Sequence, residues 1–364
     1  MKESLFLLLR LGLDTSSVSE EDCDKIKQMS VKEWNVLKNL AFKQSVGAIV
    51  FDGALKFCLE HKDIVFNQQE WKKNKLQWAT NCMMIEARNA KQIRIMKDLS
   101  AIWTLKGCNM LLMKGQANAL YYPNPQHRSV GDIDCYLFQN YDKGNQIAAS
   151  VGAKVDESWY KHSQIHYKGE MFENHQYFVH TREGKRSKRL ENELRRYLVT
   201  ESYEKYPGSD VLLPPVMFNA LFLTYHGLTH FLSEGIRMKQ VIDWAMFLKN
   251  EQHHIDWSEF YSICKQFNLL RYLYIMNDIA VHYLGVKVNH PDIIADSPYT
   301  KKVIHSILYD DDYIFSSGEG SWRNRFHIIS NLFKYRWKYH QIYQESIFRQ
   351  LYFYVVGYLF HTDK

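Results

Sequence analysis

NMLLMKGQANALYYPNPQHRSVGDIDCYL, residues 109–137, joins an apolar run, a glycine break and an acidic strand within one short segment. Residues 110–113 read as a strand ended by Lys114 and Gly115, followed by a short helical segment, a proline-bearing loop and a second strand with Asp132 and Asp134. Side chains alternate along a strand, so the two aspartates share one face while Ile133, Cys135 and Leu137 take the other. Carboxylates held together repel and resist desolvation, which favours a cation between them, and hard oxygen donors suit magnesium or manganese. Asp-x-Asp alone also fits two solvated carboxylates on an ordinary strand. The glycine supplies a second signal: it lets the backbone approach a ligand closely, and the helix behind it offers unpaired N–H groups, together a phosphate seat.

Downstream, Met171-Phe172-Glu173-Asn174-His175 places Glu173 and His175 on one face by the same alternation. Farther on, His226 and His230 share a helix face four residues apart, followed by Gly235, Arg237, Asp243 and Trp244. Lys114-Gly115, Tyr122-Pro123, Arg128, Asp132-Ile133-Asp134 and these later positions resemble the bacterial family described as uncharacterised nucleotidyltransferases, within the DNA polymerase beta-like superfamily. The resemblance runs from about residue 30 to 250. It implies an NTP with its phosphates at Lys114, Gly115, Gln116 and Arg128. It further implies two divalent ions, Mg2+ or Mn2+, on Asp132, Asp134 and Glu173, and a hydroxyl acceptor attacking the alpha-phosphorus. His175, His226, His230 and Arg237 are expected to line the cleft.

Two features depart from the superfamily pattern. The turn carries Gly115-Gln116 where many members have Gly-Ser, and 16 residues separate Gly115 from Asp132. Losing the hydroxyl removes a phosphate contact that Lys114, a point charge, and Arg128, a fixed fork, are suited to replace. The structural alternatives are a solvated Lys114 and an Arg128 paired with Asp132 or Asp134. Arg237 paired with Asp243 is likewise an alternative to substrate contact. A zinc hydrolase site at His226 and His230, with Glu234 as third ligand, lacks its general base because Gly227 stands where His-Glu-x-x-His needs Glu.

At 364 residues the chain is long enough for two or three domains and a sizeable core. The net charge of +6 is mild: it suits an anionic substrate and does not argue for nucleic-acid binding by itself. Six cysteines without a Cys-x-x-Cys pair exclude a zinc ribbon or thioredoxin-like site and read as free thiols. No signal-peptide pattern and no apolar run of membrane-spanning length is found, so the expectation is a cytoplasmic protein without membrane partners. The Rossmann and P-loop glycine fingerprints are absent.

The expected fold is α+β: a small mixed-sheet core over residues 96–205, flanked by an N-terminal helical region, 1–95, and a C-terminal helical domain, 206–364. Ser30 and Glu33 signal a capping box. Helices are expected near 71–96, 90–106, 140–151, 187–199 and 216–230, and paired strands over 162–175 turning at Lys168 and Gly169. The segment 182–196 is rich in Arg and Lys, which fits a solvated helix face or a seat for a polyanion such as an RNA end. Asp310-Asp311-Asp312 and Gly318-Glu319-Gly320 read as a loop, and 351–360 as core or a partner surface. The leading expectation is metal-dependent transfer of an NMP group to an RNA end, a protein or a small molecule, with release of pyrophosphate. The alternatives are a catalytically inactive nucleotide-sensing or partner-binding module of the same fold, and a toxin-like transferase acting on tRNA or protein.

Overall fold

A computed structural model describes residues 2–17, 19–60, 69–290, 293, 297–310, 330, 333–349 and 351–352, without the side chains of 69–71 and 183. Asp311, Asp312, the segment 318–320 and most of 351–360 lie outside the described residues. The architecture is α+β, a small five-stranded mixed sheet among helices.

Four helices come first: α1 (Lys2–Gly12), α2 (Glu20–Lys27), α3 (Val31–Lys43) and α4 (Gly47–Glu60). At the start of α3 the Ser30 hydroxyl accepts from the Glu33 amide at 3.3 Å, and the Glu33 carboxylate accepts from the Ser30 amide at 2.8 Å, a complete capping box. Helices α1 and α4 cross closely because Gly12 and Gly53 face one another's helices. A Cβ on either would lie 2.1 Å from the Ile49 carbonyl oxygen or 1.9 Å from that of Leu8. The two helices expected near 71–96 and 90–106 are one continuous helix, α5 (Gln69–Leu105), which passes residue 95 without a break. No Gly or Pro interrupts the overlap between them, so nothing in the backbone stops propagation.

The sheet follows: β1 (Leu111–Leu112), the one-turn helix α6 (Gln116–Ala119), β2 (Ile133–Tyr136), α7 (Tyr141–Ser150), β3 (Lys154–Asp156), β4 (His162–Tyr167) and β5 (Glu170–His175). Its order is β1-β2-β5-β4-β3, with β2 and β5 parallel and the other pairs antiparallel. Strand β1 is shorter than the apolar run 110–113, although Leu112 and Met110 also exchange backbone hydrogen bonds with Leu212. Strand β3 had no counterpart among the sequence expectations; Lys154-Val155-Asp156 is too short and polar to stand out from a loop. One face of the sheet buries Ile133, Cys135, Ile165 and Phe172 against Ile95, Leu99 and Trp103 of α5 and Ala148 of α7. Each such large side chain contributes about 1.5–3 kcal/mol when fully buried.

The chain continues with α8 (Lys185–Thr200), α9 (Val216–Ser233), α10 (Met238–Glu251), α11 (Trp257–Gln266), α12 (Leu270–Asp278) and α13 (Thr300–Tyr309). Their apolar core also takes in Leu8 of α1 and Ile49 of α4, so the two ends of the chain share one cluster with Phe222, Ile242 and Ile307. Among the described residues no helix is long and apolar enough to cross a membrane. All six cysteines are free thiols, and only Cys58 is less than fully buried.

Candidate active site

With Ile133 and Phe172 fixed in the core, the register of β2 against β5 sets the opposite face. Asp134 stands beside Glu173, and Cys135 beside Asn174. Asp132, just before β2, falls on the same side as Asp134, and His175 on the same side as Glu173. Counting from the Lys168 and Gly169 turn, β4 brings His162 opposite His175. Asp132, Asp134, Glu173, His175 and His162 therefore converge on one sheet face, and α9 and α10 close over its Asp132 side.

Charge in this cluster is unevenly met. Asp134 is 2% exposed, accepts from Lys114 Nζ at 3.0 Å and lies 3.2 Å from His175 Nε2. Burial opposes its charge, but Lys114 and His175 outweigh burial and hold the carboxyl far below its ordinary range. Asp132 keeps contact with solvent at the rim. Partial desolvation in the cleft, then the charges of Glu173 and Asp134, push its carboxyl above the usual value. Burial also works against Glu173, but the neighbouring His175 prevails and lowers it. His175 responds in kind: burial disfavours the charged ring, while the carboxylates of Asp134 and Glu173 raise it.

Two cavities adjoin this cluster, the smaller at Asp132 and Asp134 and the larger at His162. The smaller, about 190 Å³, is lined by Lys114, Gly115, Asp132, Asp134, His226 and Lys239, among others. Gly115 sits at φ +64, a conformation that side chains disfavour, and approaches the Asp132 carbonyl. Lys239 is the cation that sequence reasoning overlooked. Burial first, then Arg128, push its ammonium down to about 8. The larger cavity, about 440 Å³, is walled by Trp159, Tyr160, Val179, Leu190, Tyr225 and Phe267, with His162, Lys161 and His230 on its border. Burial and the charge of Lys114 hold the Lys161 amine below its ordinary range.

Other expected site residues separate into those that reach the cleft and those that shape it. Lys114 Nζ lies 2.7 Å from His226 Nε2, which lies 3.0 Å from His230 Nε2. His230 contacts Glu234 through its other nitrogen. Burial and then Lys114 keep the His226 ring well below its usual range, hence neutral and able to accept from the ammonium.

Arg128 pairs with Asp243, which corrects the alternative of a pairing with Asp132 or Asp134. Its Nε and Nη2 donate to the two oxygens of Asp243, each at 2.7 Å, and the Tyr122 hydroxyl donates to the same carboxylate at 2.6 Å. The fork is 4% exposed and one of its edges is engaged by this pair, while Nη1 reaches the Ser129 carbonyl at 3.5 Å, so Arg128 supports the wall of the smaller cavity that it lines. Asp243 thus pairs with Arg128 and not with Arg237, which is exposed and donates to the Ser45 hydroxyl at 3.3 Å.

The side chain of Gln116 also turns away from the turn it follows. It is buried and donates to Asn89 at 2.7 Å and Gln92 at 3.1 Å, both on α5. Asn89 and Gln92 in turn donate to the carbonyls of Gln126, Arg128 and Gly131, and so hold the loop that carries Asp132. Because α6 has a single turn, its dipole adds little to a phosphate seat. Three arginines of the basic segment are engaged in ion pairs. Arg186 meets Glu345, Arg195 meets Glu191, and Arg196 meets Glu193 and Glu259.

The model of the family described as uncharacterised nucleotidyltransferase matches residues 30–285, and the chain belongs to that family. No curated protein and no solved structure matches. The family makes the chain a nucleotidyltransferase, with an NTP as substrate.

Proposed function

We propose that this cleft transfers an NMP group from an NTP to a hydroxyl acceptor, the triphosphate lying in the smaller cavity and the acceptor in the larger one. The observation that carries the reading is the Asp134 and Glu173 register on adjacent parallel strands, with Asp132 on the same face and Lys114 at 3.0 Å from Asp134. Lys114, Lys239 and the backbone at Gly115 are the foremost phosphate ligands, with one edge of Arg128 engaged by Asp243. Lys161 at the border of the larger cavity favours an acceptor with an anionic group, and the aromatic walls favour a ring.

The donor set fits Mg2+ or Mn2+ on Asp132, Asp134 and Glu173. Three carboxylates meet there, and the charges of Glu173 and Asp134 both bear on Asp132. When bound, such ions neutralise developing phosphate charge and acidify the acceptor hydroxyl. The acceptor oxygen forms a bond to the alpha-phosphorus as the bond to the bridging oxygen breaks, and pyrophosphate leaves with that electron pair. Glu173, 19% exposed and 3.5 Å from His162 on the border of the larger cavity, takes up the hydroxyl proton. His226 accepts from Lys114 and so orients that ammonium toward Asp134 and the phosphates.

A second reading, nucleotide binding without transfer, draws on Gln116, whose buried side chain supplies no hydroxyl at the turn. Alpha-labelled NTPs separate the two. Transfer predicts label on an acceptor in host extract and pyrophosphate release, both lost in Asp132→Asn. Metal-dependent NTP binding without label in any fraction would favour the second reading.

A further inference from the structure

On the Glu173 side of the carboxylates the donors change from oxygen to nitrogen. His162 and His175 stand opposite one another on β4 and β5, their rings 5.2 Å apart. One ligand atom from each of His162, Glu173 and His175 falls within 4.8 Å of the others. His175 Nδ1 faces the Tyr177 carbonyl at 3.2 Å. A proton on that nitrogen leaves Nε2 as a bare acceptor, the way ligating histidines are commonly oriented.

Nε2 then points at two further acceptors, Asp134 Oδ1 at 3.2 Å and Glu173 Oε2 at 3.6 Å. Lys114 meets the same Asp134 oxygen at 3.0 Å, but a positive centre is still needed between Nε2 and Glu173 Oε2. Were it a proton on the ring, a committed charge-assisted bond of about 2.7–2.9 Å to one carboxylate would be expected. Neither separation is that short. Tetrahedral ligands about 2.1 Å from a metal stand about 3.4 Å from one another, and both separations lie close to that spacing, as does the 3.5 Å between His162 Nε2 and Glu173 Oε1. The His162 ring stacks on Trp159 at 6.2 Å, and its buried Nδ1 has no hydrogen-bond partner among the described residues.

We propose that His162, Glu173 and His175, with Asp134 at the edge, form a site for a transition-metal ion of the manganese, cobalt or zinc class. It is distinct from the all-oxygen position on the Asp132 side that suits magnesium. Two imidazoles raise affinity for these softer ions and add little for Mg2+, which prefers oxygen ligands and retained water. The site borders the larger cavity through His162, so the ion it holds lies on the acceptor side. The inference stands on side-chain geometry and does not require that the protein transfer nucleotides.

The full-length protein, stripped of metal, is titrated with Co2+ and followed by its visible absorption, and with Mn2+ followed by pulsed electron paramagnetic resonance. Wild type is expected to give the intense bands of a low-symmetry nitrogen-ligated Co2+ and a nitrogen coupling on bound Mn2+. His162→Ala and His175→Ala should each weaken Mn2+ binding by about tenfold or more, while Asp132→Asn retains the nitrogen coupling. The coupling in wild type needs no variant, so a misfolded substitution leaves the test intact. Bound Mn2+ with oxygen ligands only, or no binding with protein in excess, overturns the proposal and makes His175 an imidazolium partner of Asp134. If the coupling is present but no NTP is consumed with any metal, the site stands and the transfer reading falls.

Discussion

Two acid–base clusters share the wall of the smaller cavity and differ in how completely their charges are met. In one, Asp243 accepts from the Nε and Nη2 edge of Arg128 and from the Tyr122 hydroxyl, all within 2.6–2.7 Å. In the other, the three carboxylates Asp132, Asp134 and Glu173 share Lys114 and the histidines at 3.0 Å and beyond. The first cluster is closed in charge, its one carboxylate matched by one guanidinium. The second retains unmatched negative charge that a cationic ligand would neutralise. Residue types alone do not separate the two; saturation of the hydrogen-bonding groups does.

The largest expected effect tests the closed cluster. Asp243→Ala leaves a buried guanidinium without its partner, which costs about 3–5 kcal/mol. Urea unfolding should show it as a lower midpoint with an unchanged slope. A variant as stable as wild type would mean the pair is not what holds the wall. Asp132→Asn tests the open cluster with the opposite signature. Pyrophosphate release should fall about 10²–10³-fold, while stability stays within about 1 kcal/mol because burial and the charges of Glu173 and Asp134 already work against the ionised Asp132. If Asp132→Asn unfolds the protein instead, the carboxylates serve structure and the comparison collapses.

Much of the open cluster was legible in the sequence, because strand parity is a local rule. Asp132 with Asp134, and Glu173 with His175, share faces by alternation, and the turn at Lys168 and Gly169 was also expected. The same turn could have given His162: pairing Tyr167 with Glu170 and counting outward ends at His162 and His175. Lys239 carried a weaker signal, lying one helical turn before Asp243 on α10. The closed cluster was not legible, since Arg128 and Asp243 are 115 residues apart and no local period relates them. Nor was the turning of Gln116 into α5, which depends on Asn89 and Gln92 of a helix that precedes the sheet.

Lys239 sharpens the comparison because it is a cation placed for a ligand at the expense of stability. Its ammonium, pushed down to about 8 from an ordinary 10.5, binds fewer protons folded than unfolded across that interval. Stability therefore rises with pH between the two values, and Lys239→Met should remove that slope and raise the unfolding midpoint at neutral pH. The same variant loses a phosphate ligand, and KM for the NTP should rise about tenfold, the loss of one charge-assisted hydrogen bond. Thermal melts across pH and steady-state kinetics read the two effects separately. A variant no more stable than wild type at neutral pH would show that Lys239 has a partner of its own.

The smallest change addresses saturation itself. Tyr122→Phe keeps the ring in the core and removes only the hydroxyl that donates to Asp243 at 2.6 Å. Arg128 still meets both carboxylate oxygens, so the charge stays paired and only one hydrogen bond is lost, worth about 1–2 kcal/mol in stability. The effect on pyrophosphate release should be small, because the wall keeps its position. Combining Tyr122→Phe with Asp243→Ala then distinguishes a network from independent contacts. Once Asp243 is gone the hydroxyl has lost its acceptor, and the double variant should be no less stable than Asp243→Ala alone. Full additivity would mean that the hydroxyl contributes through some other contact, and that the closed cluster is only the Arg128 and Asp243 pair.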